Sequence, residues 1–275
     1  MRELPFRQVD VFPGSVLGGN PVAVVLDADG MDEATMRAFA RWTNLSETTF
    51  VLPPTDEGAD YRLRIFTPAD ELPFAGHPTL GSAFAWAEHT GSSAERVVQE
   101  CGVGLVQLKR TSDGFAFLAP ALIRSGAPTA EERTTAAGSL RIDPSAVVDA
   151  QWTDNGPGWL ALRLADADAV LALQPDFDAM PFPVGVIGPH AAGGPADYEV
   201  RAFVPGLGVP EDPVTGSLNA GIGSWFFAAG LVEEPYTVRQ GTAIGRNGLV
   251  QITRDDEGVW VSGACVPHVS GTVRL

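Results

Sequence analysis

The strongest constraint on the fold of this chain is a pattern that occurs twice. RIFTP (64–68) returns in the second half of the chain as RAFVP (201–205), and GLVQL (104–108) returns as GLVQI (248–252). Between these two motifs, each half has a glycine-containing loop followed by an apolar segment of helical length. Matches in the same order and with similar spacing indicate an internal duplication. The sequence therefore predicts two similar folding units.

The apolar segment of each half predicts a helix. In the first half we expect Pro78 at the first helical position and Gly91 at the C-terminal stop, and in the second half Gly230 ends the segment. The apolar positions are Leu80, Phe84 and Ala87 in the first helix and Leu218, Ile222, Trp225 and Phe226 in the second. Because both helices are apolar on nearly all faces, we expect each to be buried inside its own sheet.

This pattern predicts an α+β protein with two units, at residues 1–120 and 145–275. Each unit is expected to be a strongly bent sheet around its apolar helix, and the C-terminal tail is a segment that can return to the first unit. A chain of 275 residues with 45% hydrophobic content is long enough to bury cores of this size.

The composition argues against several classes of function. A net charge of −16 opposes binding to nucleic acid and to anionic membranes. No stretch approaches the roughly 18 to 20 apolar residues of a membrane span, and the first residues lack the apolar run of a signal peptide, so we expect a cytoplasmic protein.

Cys101 and Cys265 form no CxxC pair, which argues against a metal site or a structural disulfide. We expect both to be small buried hydrophobes.

One carboxylate lies at an unexpected place. Residues 32–43 predict a helix with Asp32 as its N-cap, and a half-buried strand follows. Glu47 lies at the junction of this helix and strand, on the side-chain face of Thr49 and opposite Phe50. A solvated junction residue is the simpler interpretation of a single Glu in such a position. The alternative interpretation is that the Glu47 carboxylate takes part in a reaction.

Both predicted buried helices begin at a glycine loop, Ala75-Gly76-His77 in the first half and Val214-Thr215-Gly216-Ser217 in the second. The first backbone N–H groups of a helix have no partner within the helix, so helix starts attract anions. A plain N-terminal cap is the simpler interpretation of either loop alone. Because the loop is duplicated, we expect both helix starts to meet at one interdomain cleft and to bind a carboxylate there.

Five blocks of the sequence carry a family resemblance. They are GNPVAVV (19–25), NLSETTFV (44–51), RIFTPADELPFAGHPTLG (64–81), EDPVTGS (211–217) and QGTAIGR (240–246). Together they closely resemble the phenazine-biosynthesis PhzF-like isomerase family, which is related in fold to diaminopimelate epimerase. The resemblance implies two pseudo-twofold-related domains, each a barrel-like, mostly antiparallel sheet around a central helix. It also implies an active site in the cleft between the domains, no cofactor, no metal and often a homodimer.

The resemblance also assigns residues. Glu47 matches the acid/base carboxylate of the family, and His77 and Asp212 match positions that contact the substrate and assist proton transfer. The residues assigned to substrate binding are Asn20, Gly76, Gly216 and Ser217, the last three as donors to a substrate carboxylate. A water-poor cleft raises the pKa of a carboxylate toward the range in which it can both take and return a proton at neutral pH.

The expected function is a cofactor-independent isomerase that moves a proton along an unsaturated small carboxylic or amino acid, in secondary metabolism. One alternative is a two-base racemase or epimerase with a thiol at each helix start. The chain departs from that pattern, because Ala75 and Asp212-Pro213 occupy the two loops and both cysteines lie elsewhere. The other alternative is a binding protein that keeps the pocket without turnover. The motif blocks do not select a particular substrate.

Overall fold

Residues from both ends of the chain form one unit of the fold, and the middle of the chain forms the other. The computed structural model describes residues 2–205 and 210–275. Unit 1 takes in Met1–Leu118 and Ser262–Leu275, and unit 2 takes in Ala119–Val261.

From Glu3 in the first part of the chain and from Asp149 in the second, α-helices and strands follow one another in the same order, and a short strand and a helix precede this order in the second part. In the first part of the chain they are β1 (Glu3–Val11), β2 (Asn20–Val25), α1 (Glu33–Thr43), β3 (Glu47–Leu52), β4 (Tyr61–Phe66), β5 (Glu71–Leu72), α2 (Gly76–Thr90), β6 (Arg96–Cys101), β7 (Gly104–Arg110) and β8 (Gly114–Leu118). In the second part they are β9 (Arg124–Gly126), α3 (Ala130–Ser139), β10 (Asp149–Asp154), β11 (Leu160–Arg163), α4 (Ala167–Leu171), β12 (Val184–Pro189), β13 (Tyr198–Phe203), β14 (Glu211–Asp212), α5 (Gly216–Ala228), β15 (Tyr236–Gln240), β16 (Gly248–Asp255) and β17 (Gly258–Arg274).

Unit 1 is a closed barrel. Its strands pair in the order β1, β2, β3, β4, β6, β7, β8 and β17, and β17 pairs back onto β1. The pairs β2–β3 and β4–β6 are parallel. The C-terminal strand therefore completes the first unit. In unit 2, β9 pairs with β10, so this unit includes residues that precede position 145.

Helix α2 fills the barrel of unit 1, as its apolar sequence predicts. It contacts β1, β2, β3, β4, β6 and β8, and its residues from Gly76 to Ala83 are all buried. The helix begins two residues earlier than predicted, because Ala75 is the N-cap and Pro78 is the third helical residue. Proline is tolerated there, since the first N–H groups of a helix have no partner within it. Helix α5 of unit 2 is buried in the same way.

Strand β3 is buried on both faces, so the prediction of a half-buried strand is wrong. Phe50, on one face, packs against Phe39 of α1, with ring centroids 6.4 Å apart. On the other face, the hydroxyls of Thr49 and Ser82 of α2 lie 2.8 Å apart. Glu47 shares the face of Thr49, so its side chain lies on the side of the strand that faces α2.

The duplicated motif builds the same turn in both units. Arg64 makes two hydrogen bonds to Glu71, at 2.7 and 2.6 Å, and Arg201 makes two to Glu211, at 2.9 and 2.7 Å. In each case the arginine is on the long strand and the glutamate on the two-residue strand that precedes the buried helix. These bidentate pairs fix the chain just before the starts of α2 and α5.

A glycine in each buried helix allows the sheet to approach closely. A Cβ atom at Gly81 of α2 would lie 2.5 Å from Cγ1 of Val22 and 2.9 Å from Cγ2 of Val11. A Cβ atom at Gly221 of α5 would lie 2.4 Å from the carbonyl oxygen of Thr153. The distances are shorter than van der Waals contact. Glycine is therefore required for packing at both positions, although it is a poor helix former.

We expect Gly81→Ala to destabilise unit 1. The two valines are fully buried and cannot move aside, so the added methyl group overpacks the core, which costs about 1–3 kcal/mol. This cost exceeds the gain in helix propensity on replacing glycine by alanine, which is at most about 1 kcal/mol. Gly138→Ala in α3 is the matched control, since nothing lies within 4 Å of its Cβ position. Urea unfolding should show a lower midpoint for the first variant and an equal or higher one for the second. Midpoints that rise in both variants would refute the packing argument.

Candidate active site

The carboxylate of Glu47 and the imidazole of His77 are in contact inside unit 1. Glu47 is the first residue of β3 and His77 is the second residue of α2. Oε2 of Glu47 lies 3.2 Å from Nε2 of His77, and the two side chains are 14% and 4% exposed. The contact falls short of hydrogen-bond alignment, so Nε2 keeps capacity for another partner. Catalytic contacts are often loose until a substrate is bound.

The environment of His77 keeps its ring neutral. Burial lowers the pKa of His77 to about 3, because a charged imidazolium is poorly solvated inside the barrel. Nδ1 of His77 lies 3.2 Å from the side-chain amide nitrogen of Asn20. At pH 7 the ring therefore carries one proton and acts as a donor on one nitrogen and an acceptor on the other.

Asn20 lies deeper in the barrel than its predicted role suggests. It is completely buried, and its amide oxygen accepts a hydrogen bond of 3.1 Å from Ser46. Asn20 is thus in contact with His77 on one side and with the residue before Glu47 on the other. Sequence reasoning missed Ser46, although it lies within the NLSETTFV block.

The start of α2 presents backbone donors. Ala75 is the N-cap and has no side-chain oxygen with which to accept from them. Gly76 and His77, the first two helical residues, are buried at this end of the helix. A helix start without a side-chain cap is a suitable place for an anionic group of a ligand.

Unit 2 carries a different set of polar groups at the start of α5. Asp212 is half-buried in β14, and its carboxylate accepts a hydrogen bond of 2.6 Å from the hydroxyl of Thr215. The side chain of Gln240 donates to the Asp212 carbonyl and to the Thr215 hydroxyl, at 3.1 and 2.8 Å. Sequence reasoning missed Thr215 and Gln240 as partners of Asp212, although both lie in quoted motif blocks.

Ser217 and Gly216 are buried in the first turn of α5. The hydroxyl oxygen of Ser217 accepts a hydrogen bond of 3.0 Å from the indole of Trp159, and its carbonyl accepts one of 2.9 Å from Asn155. The hydroxyl can still donate, because a serine oxygen both donates and accepts. That Glu47 and Asp212 serve the same substrate stays a prediction.

Unit 2 has neither an acid nor an imidazole at the positions equivalent to Glu47 and His77. Thr48 pairs with Phe66 in unit 1, and Val184 pairs with Phe203 in unit 2, so the residue equivalent to Glu47 is Pro183. Counting from the first helical glycine, Ser217 takes the place of His77. The duplicated scaffold therefore carries an asymmetric pair of side chains.

The two cysteines are not part of this pair, and unit 2 has a partly buried His–carboxylate contact at another position, where Nε2 of His190 lies 3.0 Å from Oε2 of Glu199. Cys101 and Cys265 are free thiols. Cys265 is buried as predicted, whereas the prediction that Cys101 is buried is wrong, because it is only half-buried. Burial raises the pKa of both thiols, so both are protonated at pH 7. Across residues 2–205 and 210–275, no three His, Cys, Asp or Glu side chains are grouped so that they could hold a metal ion. None of the helices in this described part is long and apolar enough to span a bilayer.

Comparisons with known proteins agree with this fold and these motifs. A curated relative named trans-2,3-dihydro-3-hydroxyanthranilate isomerase, from Pseudomonas fluorescens, is 35% identical and the match covers 97% of this chain and 98% of the relative. Antisense-enhancing sequence 1 of Schizosaccharomyces pombe is 36% identical, with 98% and 99% covered. A solved structure of a phenazine biosynthesis protein of the PhzF family from Enterococcus faecalis superposes with a TM-score of 0.82 at 26% identity, with both chains fully covered.

The match to the family also covers nearly the whole chain. The sequence model described as phenazine biosynthesis-like protein matches residues 9–271. This span contains both copies of the duplicated motif and every candidate site residue. The family and the fold predicted from the sequence are thereby confirmed, and the chain belongs to the phenazine biosynthesis-like (PhzC-PhzF) family, which includes relatives named as isomerases.

Proposed function

We propose that this protein is a cofactor-independent isomerase that moves a proton between two carbons of an unsaturated small carboxylic or amino acid. The observation that carries the proposal is the buried contact of 3.2 Å between Glu47 and His77. An ionisable pair in a protein interior needs a reason to be there, since burial of charge is costly. General acid/base catalysis is such a reason.

Glu47 is the proton carrier in this proposal. Its carboxylate takes a proton from a carbon next to the unsaturated system, becomes a carboxylic acid, and gives the proton to another carbon on the same face of the substrate. The double bond moves and no atom is gained or lost, so no oxidant, reductant or second substrate is needed. A single carboxylate suffices because both transfers occur on one face.

Other groups hold the substrate. The helix starts at Gly76 and at Gly216 with Ser217 bind the substrate carboxylate through N–H and O–H donors. His77, which is neutral, donates from Nε2 to a polar substituent. Asp212, held by Thr215 at 2.6 Å, accepts from a hydroxyl or amine of the substrate.

The asymmetry of the duplicated units favours proton transfer on one face over inversion. Inversion needs a base on each side of the reacting carbon, and the equivalent positions in unit 2 are Pro183 and Ser217. The thiols that a two-base epimerase would use are also missing from the helix starts.

The test is turnover in D₂O with trans-2,3-dihydro-3-hydroxyanthranilate, the compound in the name of the relative that is 35% identical. We expect NMR to show an isomer with a displaced double bond and deuterium at the newly formed C–H, without added metal, nicotinamide or flavin. The degree of labelling depends on how fast the Glu47 proton exchanges with solvent between the two steps.

A double variant, Cys101→Ala with Cys265→Ala, is the control for thiol chemistry and should retain turnover. Deuterium exchange at a stereocentre without movement of a double bond would contradict the proposal and support epimerisation. Binding of this compound and of related amino acids without any exchange would support a binding protein instead.

A further inference from the structure

Four side chains, Glu47 among them, form a continuous path. The hydroxyl of Ser46 donates to the Asn20 amide oxygen at 3.1 Å, and the Asn20 amide nitrogen lies 3.2 Å from Nδ1 of His77. Nε2 of His77 lies 3.2 Å from the Glu47 carboxylate. Ser46 directly precedes Glu47 in the chain, so the backbone connects the two ends of the path.

With the Glu47 carboxylate ionised, these four side chains have one consistent set of proton positions. If Nε2 of a neutral His77 were unprotonated, its lone pair would face the lone pairs of a carboxylate oxygen 3.2 Å away. A proton on Nε2 removes that repulsion and leaves Nδ1 as an acceptor. The amide nitrogen of Asn20 must then face Nδ1, and its oxygen faces Ser46, which has a proton to donate.

The backbone around Asn20 holds it in this position. Asn20 pairs with Val11 in the β1–β2 ladder. The N–H of Gly19 donates to the buried carboxylate of Asp10 at 3.2 Å. A Cβ atom at Gly19 would lie 2.2 Å from the Val11 carbonyl oxygen, so the chain passes too close here for a larger residue.

We propose that Asn20, oriented by Ser46, is a positioning residue that fixes His77 as the tautomer with its proton on Nε2. Asn20 then acts on the substrate through His77, instead of binding the substrate directly. His77 serves as a hydrogen-bond donor beside Glu47 and not as a second base. The low pKa of His77 agrees with this role, because the ring stays neutral across the physiological range. The catalytic consequence rests on the proposed function, whereas the tautomer does not.

The tautomer can be measured directly by ¹⁵N NMR of protein labelled at histidine. The four histidines of the chain are distinguished by comparison with a His77→Gln sample. In the wild-type protein we expect the Nε2 signal of His77 to be that of a protonated nitrogen and the Nδ1 signal that of an unprotonated one. A proton on Nδ1 in the wild-type protein would overturn the proposal without any variant being needed.

Asn20→Asp tests the cause. A carboxylate at this position accepts a hydrogen bond and cannot donate one, so it should draw a proton to Nδ1 and change the ¹⁵N signals of His77. Turnover should fall on the order of 10²-fold, at the lower end of the effect of losing an acid/base group. Asn44→Asp, the same chemical change at an exposed position three residues before Glu47, is the control and should leave both signals and turnover unchanged.

The outcomes separate the two proposals. His77 signals that do not change in Asn20→Asp would refute the role of Asn20, whatever the turnover. Changed signals with full turnover would refute the catalytic role of the tautomer while leaving Glu47 as the proton carrier. A wild-type protein that shows the Nε2 tautomer but turns over no substrate would contradict the proposed function alone.

Discussion

Glu47→Gln should lower turnover by on the order of 10²- to 10⁴-fold, the usual cost of losing a general base. The amide has nearly the same shape as the carboxylate, so the packing of β3 against α2 is kept while the ability to take a proton is lost. Ligand binding should change little, because the proposed donors to the substrate carboxylate lie at the helix starts. The measurement is the rate of double-bond migration in single-turnover and steady-state assays.

Glu88→Gln is the control for this variant. Glu88 is on α2 like His77, but its side chain is 45% exposed and pairs with Arg7 at the surface. Exposed pairs of this kind contribute about 0–1 kcal/mol to stability, so the fold should be kept and turnover should stay close to the wild-type rate. A Glu47→Gln protein that turns over substrate at full rate would show that another residue is the base, and Asp212 would be the next candidate.

The sequence predicts the fold well because the duplicated residues are ones that determine the local backbone geometry. RxFxP places the same arginine on a long strand in both units, and the arginine then pairs with the glutamate that opens the loop before the helix. The two helices are so apolar that each must be enclosed by its own sheet. Patterns of this kind act locally, so they can be recognised without knowledge of distant contacts.

The face pattern of β3 could not be predicted because it depends on such contacts. Thr48 and Thr49 point to opposite faces of the strand and both are polar, yet both are buried. The Thr48 hydroxyl lies 2.7 Å from that of Thr43, and the Thr49 hydroxyl lies 2.8 Å from that of Ser82. A threonine that finds a partner on a covering helix can be buried at little cost, and the partner is not visible in the sequence.

The contacts between the polar residues of the site could not be predicted for a similar reason. Asn20, Ser46 and His77 are far apart in the chain and meet only when β2, β3 and α2 are assembled in the barrel. Gln240 reaches Thr215 and Asp212 from the end of β15 in the same way. A motif block identifies such residues as candidates, but the sequence alone does not tell which of them touches the substrate and which orients a neighbour.

The second large expected effect is on stability, and it follows from removing the arginine of the buried ion pair in unit 2. We expect Arg201→Met to destabilise the protein by about 3–5 kcal/mol, the cost of leaving one member of a buried pair without its partner. Arg201 and Glu211 are each only 6% exposed. Arg201 also donates to the carbonyl of Leu173 at 2.9 Å, and methionine leaves that acceptor without its donor. Urea unfolding should show the loss as a lower midpoint.

Arg64→Met is the matched control, because it removes the equivalent arginine of unit 1. Arg64 and Glu71 are 22% and 30% exposed, so water can solvate the carboxylate that remains. The expected loss is about 1 kcal/mol, near the upper end of the range for exposed pairs. If both variants lost the same free energy, burial would not be what distinguishes the two copies of the motif.

The double variant Arg201→Met with Glu211→Leu distinguishes two contributions to stability. One is the net contribution of the ion pair, and the other is the cost of burying Glu211 without its partner. Removing both charged groups also removes the need to solvate either of them, and apolar replacement of a buried pair is often neutral. We therefore expect the double variant to regain most of the stability lost in Arg201→Met. Because Glu211 lies directly before Asp212, turnover should fall even where stability returns, since the ion pair also fixes the strand that presents Asp212. A double variant as unstable as Arg201→Met would show that the bond to the Leu173 carbonyl, rather than the carboxylate, accounts for the loss.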